Sequence, residues 1–273
     1  MRSRATRRRS YGLTLSTLAT AGVALAGASS SSAAARTDGS SAASAAVVTA
    51  IGSVPQAAFD AVGPGPLTRK DVMVKRLAGD PRPTGTVNVR SMNAAWCPHC
   101  AANSWPLAVA LSRFGTLSGV RQLDTGRFYG RLARTRRYDR LQGLSFFGAT
   151  IASPVVRFTP IVLQDLRGRN LQRPSRADQR LLSTFDGRRQ VPAVAVGDVY
   201  GFIGSGVSPG YLRGVSAARI TASLAEPTST LGRRLIGQAN VLTAAICAAD
   251  GGRPAEVCAT PGVTRAATLL PAR

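Results

Sequence analysis

Along the chain the apolar residues change period, and each change marks an element. Thr86-Val87-Asn88-Val89-Arg90-Ser91-Met92 alternates, predicting a strand with Val87, Val89 and Ser91 on one face. From Ala101 to Phe114 the apolar positions Ala101, Trp105, Ala108, Leu111 and Phe114 recur three or four apart, which predicts a helix. Upstream, Val54 to Val62 predicts a short helix opened by Pro55 and ended by Gly63-Pro64. Val120-Arg121-Gln122-Leu123 reads as a second strand. Leu144 to Leu163, broken by Pro154 and Pro160, reads as extended, edge-type strands. Ser175 is placed to cap a helix ending at Phe185. Val191 to Val196 and Val199 to Gly204 are apolar runs joined by Gly197-Asp198, the pattern of a β-hairpin. Two helices follow, Ser216 to Leu224 before Pro227 and Leu231 to Ala249 before Asp250-Gly251-Gly252.

The chain start has a different logic. Arg2, Arg4 and Arg7-Arg8-Arg9 precede an uncharged apolar run from Leu13 to Ala28, with small-residue cleavage sites at Ala26-Gly27-Ala28 or Ala33-Ala34-Ala35. Residues 1–35 are therefore expected to be an export signal or an N-terminal membrane anchor. The run falls short of the ~20 residues of a spanning helix. Its neighbour, residues 36–50, is rich in Ser, Ala and Gly and reads as a disordered linker. The expected domain covers residues 51–260, and 261–273 reads as a tail. The location implied is extracytoplasmic: secreted or held in the cell envelope.

Composition narrows the partners. Hydrophobic residues make up 44% of the 273, enough for a sizeable core, but aromatics are only 5%, so Val, Leu, Ile and Ala must fill it. The formal charge is +22, carried almost wholly by arginine; Lys70 and Lys75 are the only lysines. Arg127, Arg131, Arg134, Arg136, Arg137 and Arg140 form a cluster interleaved with Phe128, Tyr129 and Tyr138. A nucleic-acid patch has this look, and so does an exposed loop or helix. No nucleic-acid-binding motif accompanies it, so nucleic acid is not an expected partner.

The chemistry concentrates in Trp96-Cys97-Pro98-His99-Cys100, a C-x-x-C at the junction of strand and helix. Free N–H groups and the positive end of a helix dipole stabilise a thiolate there. Pro98 stiffens the turn. His99, the only histidine, can act as a cation or a donor beside the Cys97 sulfur. A zinc site would need two more ligands; Cys247 and Cys258 are the other cysteines, and in an exported chain they read better as a structural disulfide. The pattern thus favours a redox pair, with no metal and no cofactor. A second redox pair at Cys247 and Cys258, relaying electrons to Cys97, is the sharper alternative.

Strand, C-x-x-C and helix together resemble the active-site context of the thioredoxin fold. That resemblance implies that Pro192 is a cis-proline opening a strand that faces the dithiol, with Val191 and Trp96 shaping a peptide-binding edge. The dipeptide inside Cys97-Pro98-His99-Cys100 is the one found in the bacterial periplasmic disulfide oxidase DsbA. Over a longer span the chain resembles an actinobacterial family known as domain of unknown function 929, viewed as thioredoxin-like and exported or membrane-anchored. Trp96 to Ala102, Trp105, Ala110 to Gly115, Phe158-Thr159-Pro160 and Leu242 to Cys258 carry that likeness, across roughly residues 50–260.

The expected fold is α/β and thioredoxin-like, with an insertion at about 124–190 and a C-terminal helical extension. The expected activity is that of an exported thiol–disulfide oxidoreductase with catalytic Cys97, Cys100, His99 and Pro192. It would oxidise substrate proteins bearing cysteine thiols and be reoxidised by a membrane quinone-linked oxidase. Thioredoxin's buried carboxylate has no counterpart in Thr86 to Met92, which favours an oxidase over a reductase role. The competing expectation is a non-catalytic envelope module that binds an acidic partner through its basic surface.

Overall fold

The computed structural model describes residues 37–81, 85–185 and 190–272, so the expected signal or anchor lies outside the described residues. The chain runs through β1 (Ser41–Ala42), α1 (Ala45–Gly52), α2 (Gln56–Val62), α3 (Arg69–Val72), β2 (Val74–Arg76) and β3 (Val87–Asn93). It continues through α4 (Pro98–Ser112), β4 (Thr116–Ser118), β5 (Arg121–Asp124), α5 (Phe128–Leu132), β6 (Gln142–Ser145), β7 (Thr150–Ala152) and β8 (Val156–Val162). The remainder is α6 (Arg176–Phe185), β9 (Ala193–Val196), β10 (Tyr200–Ile203), α7 (Ala217–Leu224), α8 (Thr230–Asp250), α9 (Ala255–Cys258) and α10 (Pro261–Ala267).

A five-stranded mixed sheet, ordered β2-β10-β9-β3-β8, forms the middle of this α/β domain. β3 and β8 are parallel, joined by a crossover through α4; the other pairings are antiparallel. Alternation sends the side chains of each strand to two different cores. Val87, Val89, Val194 and Val196 join the main core with α4 and α8. Met92, Ala193 and Ala195 pack instead with Leu182 and Phe185 of α6. Arg90 fixes α6 to that face through Asp178 at 3.1 Å.

Helix α8 is buried on nearly all sides, as a helix wrapped by neighbours must be. Ser229 caps its start by accepting from Gly232 N–H at 3.0 Å, and Gly251 ends it in the left-handed region. Its buried Asn240 donates to the carbonyls of Phe59 (2.9 Å) and Gly63 (2.8 Å) and accepts from Arg113 (3.1 Å). One side-chain amide thereby ties α2, α4 and α8 together. Among the described residues, no single helix is long and apolar enough to cross a membrane.

Three boundaries differ from the sequence reading. The stretch expected to be a disordered linker is ordered from residue 37. There β1 pairs with β5, and α1, capped by Ser44, buries Val47 and Ile51. Asp38 is fully buried, accepting from the Ser40 N–H at 3.0 Å and from the hydroxyls of Ser40 and Ser145. The strand expected at 120–123 is present as β5, but it pairs with β1 and β6 in a separate three-stranded sheet, whereas β3 lies between β8 and β9. The stretch that separates α4 from β8, the parallel partner of β3, therefore runs over 113–155 rather than the 124–190 expected. The expected tail contains α10, whose Val263 and Ala266 are buried against α8 and α2.

Candidate active site

The strand β3 delivers the chain to the dithiol, and a tight turn sets it there. Ala95 N–H donates to Gln164 O (2.9 Å) and Cys97 N–H to Ala94 O (3.1 Å). Cys97 is then the N-cap of α4: its backbone is extended and its Sγ accepts from Cys100 N–H at 3.2 Å. Pro98 occupies the first helical position, where its missing N–H costs nothing. A sulfur capping a helix start takes the place of the usual Ser or Asp oxygen, and the dipole end favours negative charge on it.

Both thiols are free, and both are buried, Cys97 at 4% and Cys100 at 5% exposure. An exchange nucleophile is expected to be exposed, but Cys97 is not: Trp96, Val191 and Ala94 pack against it. The Cys97 thiol donates weakly to Val191 O at 3.7 Å. Burial pushes the Cys100 thiol well above its ordinary range, and its hydrogen bond and charge interaction with Cys97 act in the same direction. Among the described residues no carboxylate hydrogen-bonds either sulfur.

His99 is half-buried, with its ring edge-on to Tyr138 at 6.3 Å. Burial lowers its pKa below the ordinary 6.5, so the ring is neutral at pH 7. That removes the cationic half of the role expected for it. No hydrogen bond joins the imidazole to Cys97 among the described residues.

Pro192 opens β9 directly beside the dithiol, and the Val191–Pro192 peptide is cis. Val191 is half-buried against Cys97, and Trp96, also half-buried, donates its indole N–H to Gln164 Oε1 at 2.9 Å. The structure therefore brings Trp96, Cys97, His99, Cys100, Val191 and Pro192 to one place. Cys247 and Cys258 form a disulfide between α8 and α9, with Cα atoms 5.5 Å apart. Bonded to each other, these sulfurs are not thiolate ligands for a metal.

Sequence reasoning missed the neighbours that roof the site. Residues 125–141 form a loop closed at its neck by Thr125 N–H to Leu141 O (3.0 Å), Leu141 N–H to Thr125 Oγ1 (3.0 Å) and Arg140 N–H to Gly126 O (2.9 Å). Its rings turn inward onto the dithiol motif. Phe128 lies 5.3 Å and Tyr129 6.2 Å from Trp96, the latter stacked at 18°. Tyr129 also meets Tyr138 at 6.2 Å. Phe128 presses on Gly168, where a Cβ would come within 2.2 Å of the ring. The available signal was the three rings themselves, since a purely solvated basic loop has no need of them.

Residues 73–169 match a family described as a domain of unknown function (DUF929), a span from β2 through the dithiol, α4 and the aromatic loop to the Asp165 turn. This is narrower than the 50–260 suggested by the quoted segments, and Leu242 to Cys258 fall outside it. No curated protein and no solved structure matches the chain.

Proposed function

We infer that the domain is thioredoxin-like and acts as an exported thiol–disulfide oxidoreductase that oxidises protein thiols. The chain order β3, dithiol helix α4, insertion, Pro192 strand, hairpin and α8 supports the fold reading. Cys97 at the helix N-cap, facing the Val191 carbonyl, supports the redox reading.

The observation that carries the direction is Cys100: buried, its thiol held protonated, with no described carboxylate on it to act as base. For Cys100 to attack a mixed disulfide it would have to ionise, so resolution falls to the substrate's own second thiol. The sequence of steps follows. A substrate thiolate attacks Cys97 Sγ of the oxidised pair; the Cys97–Cys100 bond breaks, and its electron pair and a proton go to Cys100. The substrate's second thiolate attacks the substrate sulfur of the mixed disulfide and expels Cys97 as a thiolate, stabilised by Cys100 N–H and the helix end. Two substrate thiols become one disulfide, and the protein gains two electrons. A membrane quinone-linked oxidase would remove them. Trp96 and Val191 would hold the substrate chain.

The test is oxidation of a reduced two-cysteine protein by the pre-oxidised full chain. Cys97→Ser and Cys100→Ser are each expected to abolish turnover, because neither variant can form the disulfide that takes up the substrate's two electrons. Undiminished oxidation by Cys97→Ser would refute the assignment, and no oxidation by the native chain would favour a binding module.

A further inference from the structure

Resting on that redox reading, we propose that the 125–141 loop is the substrate-docking surface and selects polypeptides whose cysteine is flanked by acidic residues. The loop is built with two sides. Its aromatic side is half-buried: Phe128, Tyr129 and Tyr138 pack on Trp96, His99, Gly168 and one another, and Arg137 lies 5.3 Å over the Tyr138 ring. Its outer side carries Arg127, Arg131, Arg134, Arg136, Arg137 and Arg140, all exposed, held next to the dithiol by those rings. Among the described residues, two aspartates answer them. Asp124 reaches Arg140 at 3.6 Å and Asp139 reaches Arg136 at 3.9 Å. Arg127, Arg131, Arg134 and Arg137 have no acidic partner among the described residues.

Within this cationic face stands Leu132, 65% exposed, the most exposed large hydrophobic side chain among the described residues. An apolar post among arginines suits a peptide bearing both carboxylates and an apolar side chain. Nucleic acid fits less well. The rings that would stack on bases are half-buried and already stacked on Trp96, His99 and one another, and a nucleic acid has no thiol for the reactive pair beside it. Exposed, unpaired arginines also raise the encounter rate with acidic chains, an effect that salt erodes.

The experiment uses the full chain, oxidised beforehand with oxidised glutathione, and follows single-turnover reduction by two dithiol peptides. The peptides share one core and differ only in Asp/Glu or Lys/Arg flanks; 2-mercaptoethanol, a thiol with no flanking residues, is the reference. The acidic peptide is expected to react at least about tenfold faster at low ionic strength, with the gap closing in high salt. Reversing the exposed charge with Arg131→Glu, Arg134→Glu and Arg137→Glu should invert the preference, each peptide's rate being read against the same variant's 2-mercaptoethanol rate and folding being checked by circular dichroism. Equal rates for the two peptides, or a preference that survives charge reversal, would overturn the docking proposal while leaving the redox reading intact. An oligonucleotide that binds tightly without any peptide preference would overturn it too. Failure of even 2-mercaptoethanol to reduce the pair would instead remove the redox reading beneath it.

Discussion

The site owes its character to where individual side chains are left by water. His99 is the clearest case, because burial disfavours its cation and Tyr138 lies edge-on to its ring. The sign of the linkage follows: the unfolded chain binds the proton more tightly, so the neutral ring's contribution is fully present above pH 6.5. It is lost as pH falls toward the lower, folded value. As the only histidine, His99 gives a single imidazole titration by NMR, expected below 6.5 in the native protein. Tyr138→Ala should uncover the ring and move that titration upward; an unchanged value would show that the loop does not roof it. Cys100 is perturbed by burial as well, but in the direction suited to a thiol, toward the protonated form. Most of these residues could be picked out from the sequence. Their protonation could not, because burial of His99 depends on a loop that begins some 25 residues later in the chain.

At the scale of elements, local signals were strong wherever the chain carries its own punctuation. Ser175, Ser216 and Gly251 mark helix ends that the structure also has, with Ser175 Oγ accepting from Asp178 N–H at 3.1 Å. The hairpin around Gly197-Asp198 pairs Tyr200 with Val196. Elements whose identity depends on a partner were not legible. The Ser/Ala-rich stretch looks like a linker by composition, yet Val47 and Ile51, one helical turn apart, bury a face against the main core, and Asp38 anchors the stretch before them. Likewise β8 contains Pro160, an edge-strand feature, and β8 is indeed an edge of the sheet. Nothing local said that this edge pairs with β3.

The Cys247–Cys258 disulfide is also an element-scale device, clamping α9 onto the end of α8. Replacing both cysteines by alanine should cost about 2–3 kcal/mol of stability by loop-closure arithmetic, read from denaturant unfolding. The rate of exchange at Cys97 is expected to stay within about twofold of the native protein. Loss of exchange in that variant would assign the pair a relay role.

For the whole molecule, the sheet and its flanking helices serve as a scaffold that brings three distant segments to one end. These are the β3–α4 turn, the start of β9, and the 125–141 loop seated on Trp96 and Gly168. The α/β class could be read from alternating periods, and the dithiol's place at a strand–helix junction from spacing. The roof could not be read, because its rings are recognised only by what they touch. The central claim concerns the redox poise of that assembled site. The most direct measurement is the reduction potential of Cys97–Cys100 in the full chain, equilibrated against glutathione buffers. We expect one two-electron couple more oxidising than about −200 mV, toward the about −120 mV of a strong dithiol oxidant. A value at or below about −270 mV, the thioredoxin range, or no exchange at all, would contradict it.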